Sequence, residues 1–107
     1  MVNAADFRRL ALALTDAEEK SHFGKADFRV RNKIFASMPD SGIGVVKLTI
    51  EQQEIMVGAE PTIFAPIKGG WGRQGWTRVN LANADDTTLN SALATAWRNV
   101  APKKLLG

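Results

Sequence analysis

The segment Lys68–Trp76 has the highest density of residues that could bind a ligand: four glycines, two tryptophans and two cations in nine positions. Gly70, Gly72 and Gly75 match the spacing of a dinucleotide-binding loop. We exclude a dinucleotide site because that motif must follow a strand and open a helix, whereas this segment precedes a strand. Backbone N–H groups of Gly69–Gly75 could hold a small anion. The alternative is that the glycines permit tight turns while the tryptophans cover the core.

The other polar clusters do not form catalytic pairs. Ser21 and His22 are adjacent, so on a strand they point to opposite faces and cannot act as nucleophile and base. We expect His22 to be structural. The acids Glu18–Glu19 and Asp85–Asp86 are consecutive and are expected to be solvated or to cap helices. Zero cysteines and one histidine exclude thiol catalysis, disulfides and multi-histidine metal sites. We therefore predict a protein that is not an enzyme and uses no cofactor or metal ion.

Length and charge indicate one domain over residues 1–107. The chain has 107 residues, 14 Lys and Arg, and 11 Asp and Glu, for a net charge of +3. No apolar run reaches the length of a membrane span. The segment Met1–Arg9 has an acid and two arginines where a signal peptide needs an apolar stretch. The expected location is the cytoplasm, away from membranes.

Three segments carry helical signals. Asn3 can cap the first, which has an apolar stripe. Thr49 and Gln52 form a capping box at the start of the second, over about residues 50–59. Asn83 or Asp85 can cap the last. The apolar stripes of the first and last segments are Phe7, Leu10, Ala11 and Leu14, and Leu89, Leu93, Ala96, Trp97 and Val100.

Between the first and last helices the apolar residues alternate, as in half-buried strands. The predicted strands are 27–31, 33–38, 44–48 and 76–81, with a short extra strand near Ile63–Phe64. The order is then α-β-β-β-α-β-β-α. It predicts an α+β fold with two layers, in which about three helices cover one face of an antiparallel sheet.

The alternation also predicts what the other sheet face carries. If the apolar residues face the helices, the opposite face gathers Arg29, Arg31, Lys47, Trp76 and Arg78. Cations around an aromatic ring on an open sheet can hold nucleic acid, since bases stack on the ring and phosphates meet the cations. An antiparallel sheet that simply alternates polar and apolar residues would look the same. So would a dimer surface, because Trp and Arg also favour interfaces.

An ordered set of motifs resembles the MmcQ/YjbR family over nearly the whole chain. The motifs are His22-Phe23-Gly24, Phe28-Arg29-Val30, Lys33-Ile34-Phe35, Trp71-Gly72-Arg73-Gln74-Gly75-Trp76, and Trp97-Arg98-Asn99-Val100-Ala101-Pro102-Lys103. The resemblance implies a small bacterial protein with three helices against an antiparallel sheet, described as a double wing. Members are usually described as predicted DNA-binding proteins, a label that rests largely on fold comparison. The family has no agreed active site to carry over.

Residues and resemblance together favour low-specificity binding of DNA or another nucleic acid. The alternative is a protein-interaction module or homodimer that uses the same face without nucleic acid. The candidate binding residues are Lys25, Arg29, Arg31, Lys33, Lys47, Trp71, Arg73, Trp76 and Arg78. Arg29, Arg31, Lys47 and Arg78 would contact phosphates, with Lys25 and Lys33 at the hairpin ends. Trp76, and Trp71 with Arg73 on the Gly-rich loop, would stack on bases or wedge into a groove.

Overall fold

Six strands form one antiparallel sheet in the computed structural model, which describes residues 1–22 and 24–106, the side chain of His22 excepted. The strands are β1 (Ala17–His22), β2 (Lys25–Val30), β3 (Lys33–Asp40), β4 (Ile43–Lys47), β5 (Phe64–Pro66) and β6 (Trp76–Asn80). Their order across the sheet is β1-β2-β3-β4-β6-β5, and each neighbouring pair is antiparallel. The predicted α+β class is confirmed.

The described residues form four α-helices, three of which begin where a side chain satisfies an early N–H group. They are α1 (Ala4–Leu12), α2 (Ile50–Ala59), α3 (Gly70–Arg73) and α4 (Asp86–Val100). Capping boxes start α1 at Asn3 and α2 at Thr49, and the Asp85 carboxylate accepts from Thr88 N–H at the start of α4. These caps are local in sequence, which is why the sequence predicts them. Within the described residues, no helix combines the length and apolarity needed to cross a membrane.

The core lies between one face of the sheet and the helices. Phe28 on β2 and Phe7 on α1 are fully buried, with ring centroids 5.6 Å apart. Strand β4 passes close to α1 at Gly44, where a Cβ would lie 2.3 Å from the Phe7 ring. On α4, Trp97 is buried and its Nε1 donates to the Thr15 carbonyl at 2.9 Å. This tryptophan is therefore part of the core.

Three features differ from the sequence prediction. Strand β1 was not predicted separately because its residues, Ala-Glu-Glu-Lys-Ser-His, carry no apolar alternation, as suits a charged edge strand. Arg31 does not continue β2: with Asn32 it forms the β2–β3 turn, at φ 50° and 69°, and such paired positive φ values are typical of a type I′ hairpin turn. The short helix α3 was missed because glycine has poor helix propensity.

Candidate functional site

The sheet face turned away from the helices carries most of the predicted binding residues. Cross-strand register places Asp27, Ser37, Val45 and Arg78 side by side from β2 to β6. The neighbouring row pairs Lys47 with Trp76, and Arg29 lies beside Ile34. Residues paired across antiparallel strands share a face, so these side chains form one surface, which we call the open face.

A broad groove of about 650 Å³ crosses the open face. Its floor comes from strands β2, β3 and β4, and one end is closed by Trp71 of α3 and Trp76 of β6. The lining is predominantly apolar and contains one cation and one acid. The lining residues are Lys25, Ala26, Asp27, Ile34, Ser37, Pro39, Val45, Ile67, Trp71 and Trp76.

The two tryptophans of the groove contact each other edge to face. Their ring centroids are 6.1 Å apart and their planes differ by 74°, a favourable arrangement for aromatic pairs. Trp71 is 62% exposed, although a tryptophan gains more from burial than most side chains. The Lys47 ammonium lies 5.5 Å from the Trp76 ring centroid and donates to the Gln74 carbonyl. The groove wall is thus an aromatic surface with a cation held against it.

Two glycines fix the position of this aromatic wall. A Cβ on Gly72 would lie 1.8 Å from the Ile67 carbonyl oxygen, and one on Gly75 would lie 1.8 Å from the Leu48 carbonyl oxygen. Only glycine permits these backbone approaches. The N–H groups of residues 73–75 donate to carbonyls of residues 69–72, so they are not offered to an anion. Gly72 and Gly75 therefore act by close packing, and the N–H groups of residues 73–75 serve the loop itself.

Gln53 of α2 connects the wall to the core and was not predicted from the sequence. This side chain is buried, and its Nε2 lies 3.1 Å from the carbonyls of Gly72 and Trp76 and from Thr77 Oγ1. Thr77 Oγ1 in turn donates to the Gly75 carbonyl at 2.9 Å. The available signal was a polar residue within a helix whose apolar stripe is weak, which is typical of an amide that bonds inward.

Replacing Gln53 by leucine is expected to lower the free energy of unfolding by about 1–3 kcal/mol, because buried acceptors lose their donor. Urea denaturation measures the change. Glu54→Leu is the matched control: it introduces the same side chain at an exposed position of α2, where changes stay within about 0.5 kcal/mol. Equal losses in the two variants would contradict a stabilising role for the Gln53 amide.

Two of the predicted phosphate-binding arginines have acidic partners within the protein. Arg29 donates to both oxygens of Asp27 at 2.8 and 3.1 Å, and this hydrogen bonding raises the pKa of Arg29. From its position in the β2–β3 turn, Arg31 forms an ion pair with Asp16, and the distance from Nη2 to Oδ2 is 2.9 Å. The placement of Arg31 on the sheet face was therefore wrong, and its guanidinium contacts an acid in the turn before β1.

The other candidates divide between the two sides of the sheet. Lys25 and Arg78 are exposed, and neither forms an ion pair within residues 1–22 and 24–106. Lys33 pairs with Val30 in register, so it lies at the rim of the helix-covered side. Arg73 is exposed at the end of α3. The open face thus brings together Lys25, Arg29, Lys47, Trp71, Trp76 and Arg78.

The backbone of His22 belongs to β1, and the prediction about its side chain lies outside what the structure describes.

Comparison with known proteins addresses the family and the fold. A search of curated proteins finds no match. A crystal structure of the Deinococcus radiodurans protein DR2400, which has a DUF419 domain, is similar with a TM-score of 0.80 and 21% identity, covering 97% of this chain and 82% of that chain. At this identity the likeness shows the fold. The YjbR family model matches residues 12–99, which is most of the chain and includes every strand of the sheet. The chain therefore belongs to the YjbR family.

Proposed function

We propose that the protein binds nucleic acid on the open face, with low sequence specificity. The observation that carries this proposal is a tryptophan pair, exposed at Trp71 and half-buried at Trp76, beside cations that have no acidic partner in the described structure. Trp71 and Trp76 offer rings for stacking, and Lys25, Lys47 and Arg78 offer charge for phosphates. The family resemblance also supports it, since members are usually described as predicted DNA-binding proteins.

Ordinary alternation of polar and apolar residues explains only part of this face. It accounts for Arg29, whose charge is balanced by Asp27. It does not account for an exposed ring at Trp71 beside an apolar groove, because plain alternation places polar side chains on the solvent face. A ligand that is both aromatic and anionic matches these features together.

The proposal is for binding without catalysis, in the cytoplasm. It is supported by the lack of cysteine and by the single histidine, since those two side chains supply most nucleophiles and proton carriers near neutral pH. The acid of the groove also argues for binding. Asp27, the acid of the groove, is held by two hydrogen bonds from Arg29 rather than paired with a second carboxylate.

Arg78→Ala is expected to weaken binding and to reduce the salt dependence. Loss of one phosphate contact should lower the slope of log K against log salt by about 0.7 for a single strand or about 0.9 for a duplex. Tryptophan fluorescence during titration with oligonucleotides, starting at about 50 mM salt, measures both quantities. Trp97 supplies a constant background because its ring is buried in the core.

Arg98→Ala is the matched control, because Arg98 is equally cationic and exposed but lies on α4, across the sheet from the groove. Its slope should equal that of the unmodified protein. Equal slopes for the unmodified protein, Arg78→Ala and Arg98→Ala would show that Arg78 does not contact a phosphate. Absence of any binding by micromolar protein at about 50 mM salt would overturn the proposed function. A dimer that persists at micromolar concentration without nucleic acid, and dissociates on replacement of Trp76, would favour the homodimer instead.

A further inference from the structure

We infer that the groove of the open face accepts unstacked bases, so that the protein prefers single-stranded to double-stranded nucleic acid. The inference rests on the proposed function and names the class of nucleic acid. It depends on the shape and lining of the groove, whereas the proposed function depends on the presence of tryptophan rings beside unpaired cations.

The groove has the size and polarity that flat heterocycles require. Its volume of about 650 Å³ lies within the range of sites that enclose small organic ligands. Ile34 and Val45 form an apolar floor, and the rings of Trp71 and Trp76 form the wall. A phosphate would gain nothing from this lining, because an anion is costly to place against apolar groups without partners. The lining therefore fits the bases, and the phosphates belong at the rim.

The aromatic wall is suited to bases that have left a stack. Trp71 is 62% exposed even though its ring forms a T-shaped pair with that of Trp76, so much of its surface stays uncovered. Bases within a duplex show a protein only their edges, since their faces are covered by neighbouring pairs. Contact between a base face and Trp71 therefore requires a single strand, or the free-energy cost of unpairing and unstacking a duplex.

The charges around the groove suit a strand whose bases point inward. Lys25 lies at one end, and Lys47 and Arg78 lie beside the Trp76 end. The acid of the lining, Asp27, is neutralised by Arg29 at 2.8 Å and does not repel phosphates strongly. Ser37 is the neutral polar group of the floor. One hydroxyl, able both to donate and to accept, reads base edges poorly, which agrees with low sequence specificity.

The test compares three ligands of equal length: a thymidine strand of about 12 nucleotides, the corresponding duplex, and an abasic strand with the same phosphates. We expect the affinity to be highest for the thymidine strand and lower for the other two. Trp71→Ala should weaken binding of the thymidine strand by about 5- to 150-fold, the range for loss of one stacked base. It should leave the affinity for the abasic strand unchanged. Trp71→Phe should recover most of the loss.

Ile55→Ala is the control for truncation of an exposed apolar side chain, since Ile55 is 70% exposed on α2 and does not line the groove. It should bind every ligand as the unmodified protein does. Equal affinity for thymidine and abasic strands, or a duplex bound as tightly as the thymidine strand, would overturn the inference and leave the proposed function standing. Failure to bind any of the three ligands would overturn both.

Discussion

Replacing Gly75 by alanine is expected to lower the free energy of unfolding by about 3 kcal/mol or more, from backbone strain and steric overlap together. Gly75 has φ +100°, where side chains are rarely found, and an added Cβ would lie 1.8 Å from the Leu48 carbonyl oxygen. The overlap is with main chain, which cannot rotate away. The same backbone is also held by the hydrogen bond from Leu48 N–H to the Gly75 carbonyl at 3.1 Å. Relief of the overlap would therefore separate β4 from the start of β6.

Urea denaturation measures the loss, and Gly58→Ala is the matched control. Gly58 lies in α2 with helical backbone and no atom within 4 Å of an added Cβ. The same substitution there should leave stability unchanged or raise it by up to about 1 kcal/mol, since alanine favours helix over glycine. A loss below about 1 kcal/mol for Gly75→Ala would mean that the backbone around Leu48 yields more readily than its hydrogen bonds indicate.

The sequence predicts the fold where the determining interactions are local. Helix α2 begins and ends where its capping box and the following proline place it, over Ile50–Ala59. The strands with apolar alternation, β2, β3, β4 and β6, were all predicted within a few residues. Strand β1 was not predicted because it is stabilised by pairing with β2 along its whole length, and its side chains carry no apolar pattern of their own. The pairing of β1 with β2 leaves no periodic pattern in the sequence from which the strand could be predicted.

The sequence predicts which residues the candidate site contains, but not which of them form ion pairs with each other. Alternation correctly placed Arg29, Lys47, Trp76 and Arg78 on one face, because alternation is a property of the strand itself. It could not show that Arg29 is balanced by its own neighbour Asp27. Two residues apart on one strand, they share a face, yet an ion pair also requires suitable rotamers. The groove itself depends on α3 meeting β6, a tertiary contact with no periodic signal.

Replacing Phe28 by alanine is the other change with a large expected effect, about 3–5 kcal/mol of stability, because a fully buried ring leaves a cavity that its surroundings fill incompletely. Phe28 is 0% exposed and packs against Phe7 at 5.6 Å between ring centroids. Strand β2 and helix α1 lose that contact together. The urea midpoint should fall without a change in the slope of the transition, which would show that the native state keeps its compactness.

The same variant tests whether the two faces of the sheet are separate in function. Phe28 faces the helices, whereas its neighbours Asp27 and Arg29 lie on the open face, so the ring points away from that face. At a temperature where Phe28→Ala is folded, its affinity for the thymidine strand should equal that of the unmodified protein, although its stability is far lower. A loss of affinity comparable to that of Trp71→Ala would mean that the core and the groove are coupled.

Trp71→Ala should show the opposite pattern, with weakened binding and stability within about 1 kcal/mol of the unmodified protein, since its ring is largely exposed. Two variants with reversed effects on stability and affinity would establish that the core around Phe28 and Phe7 stabilises the sheet while its open face binds the ligand.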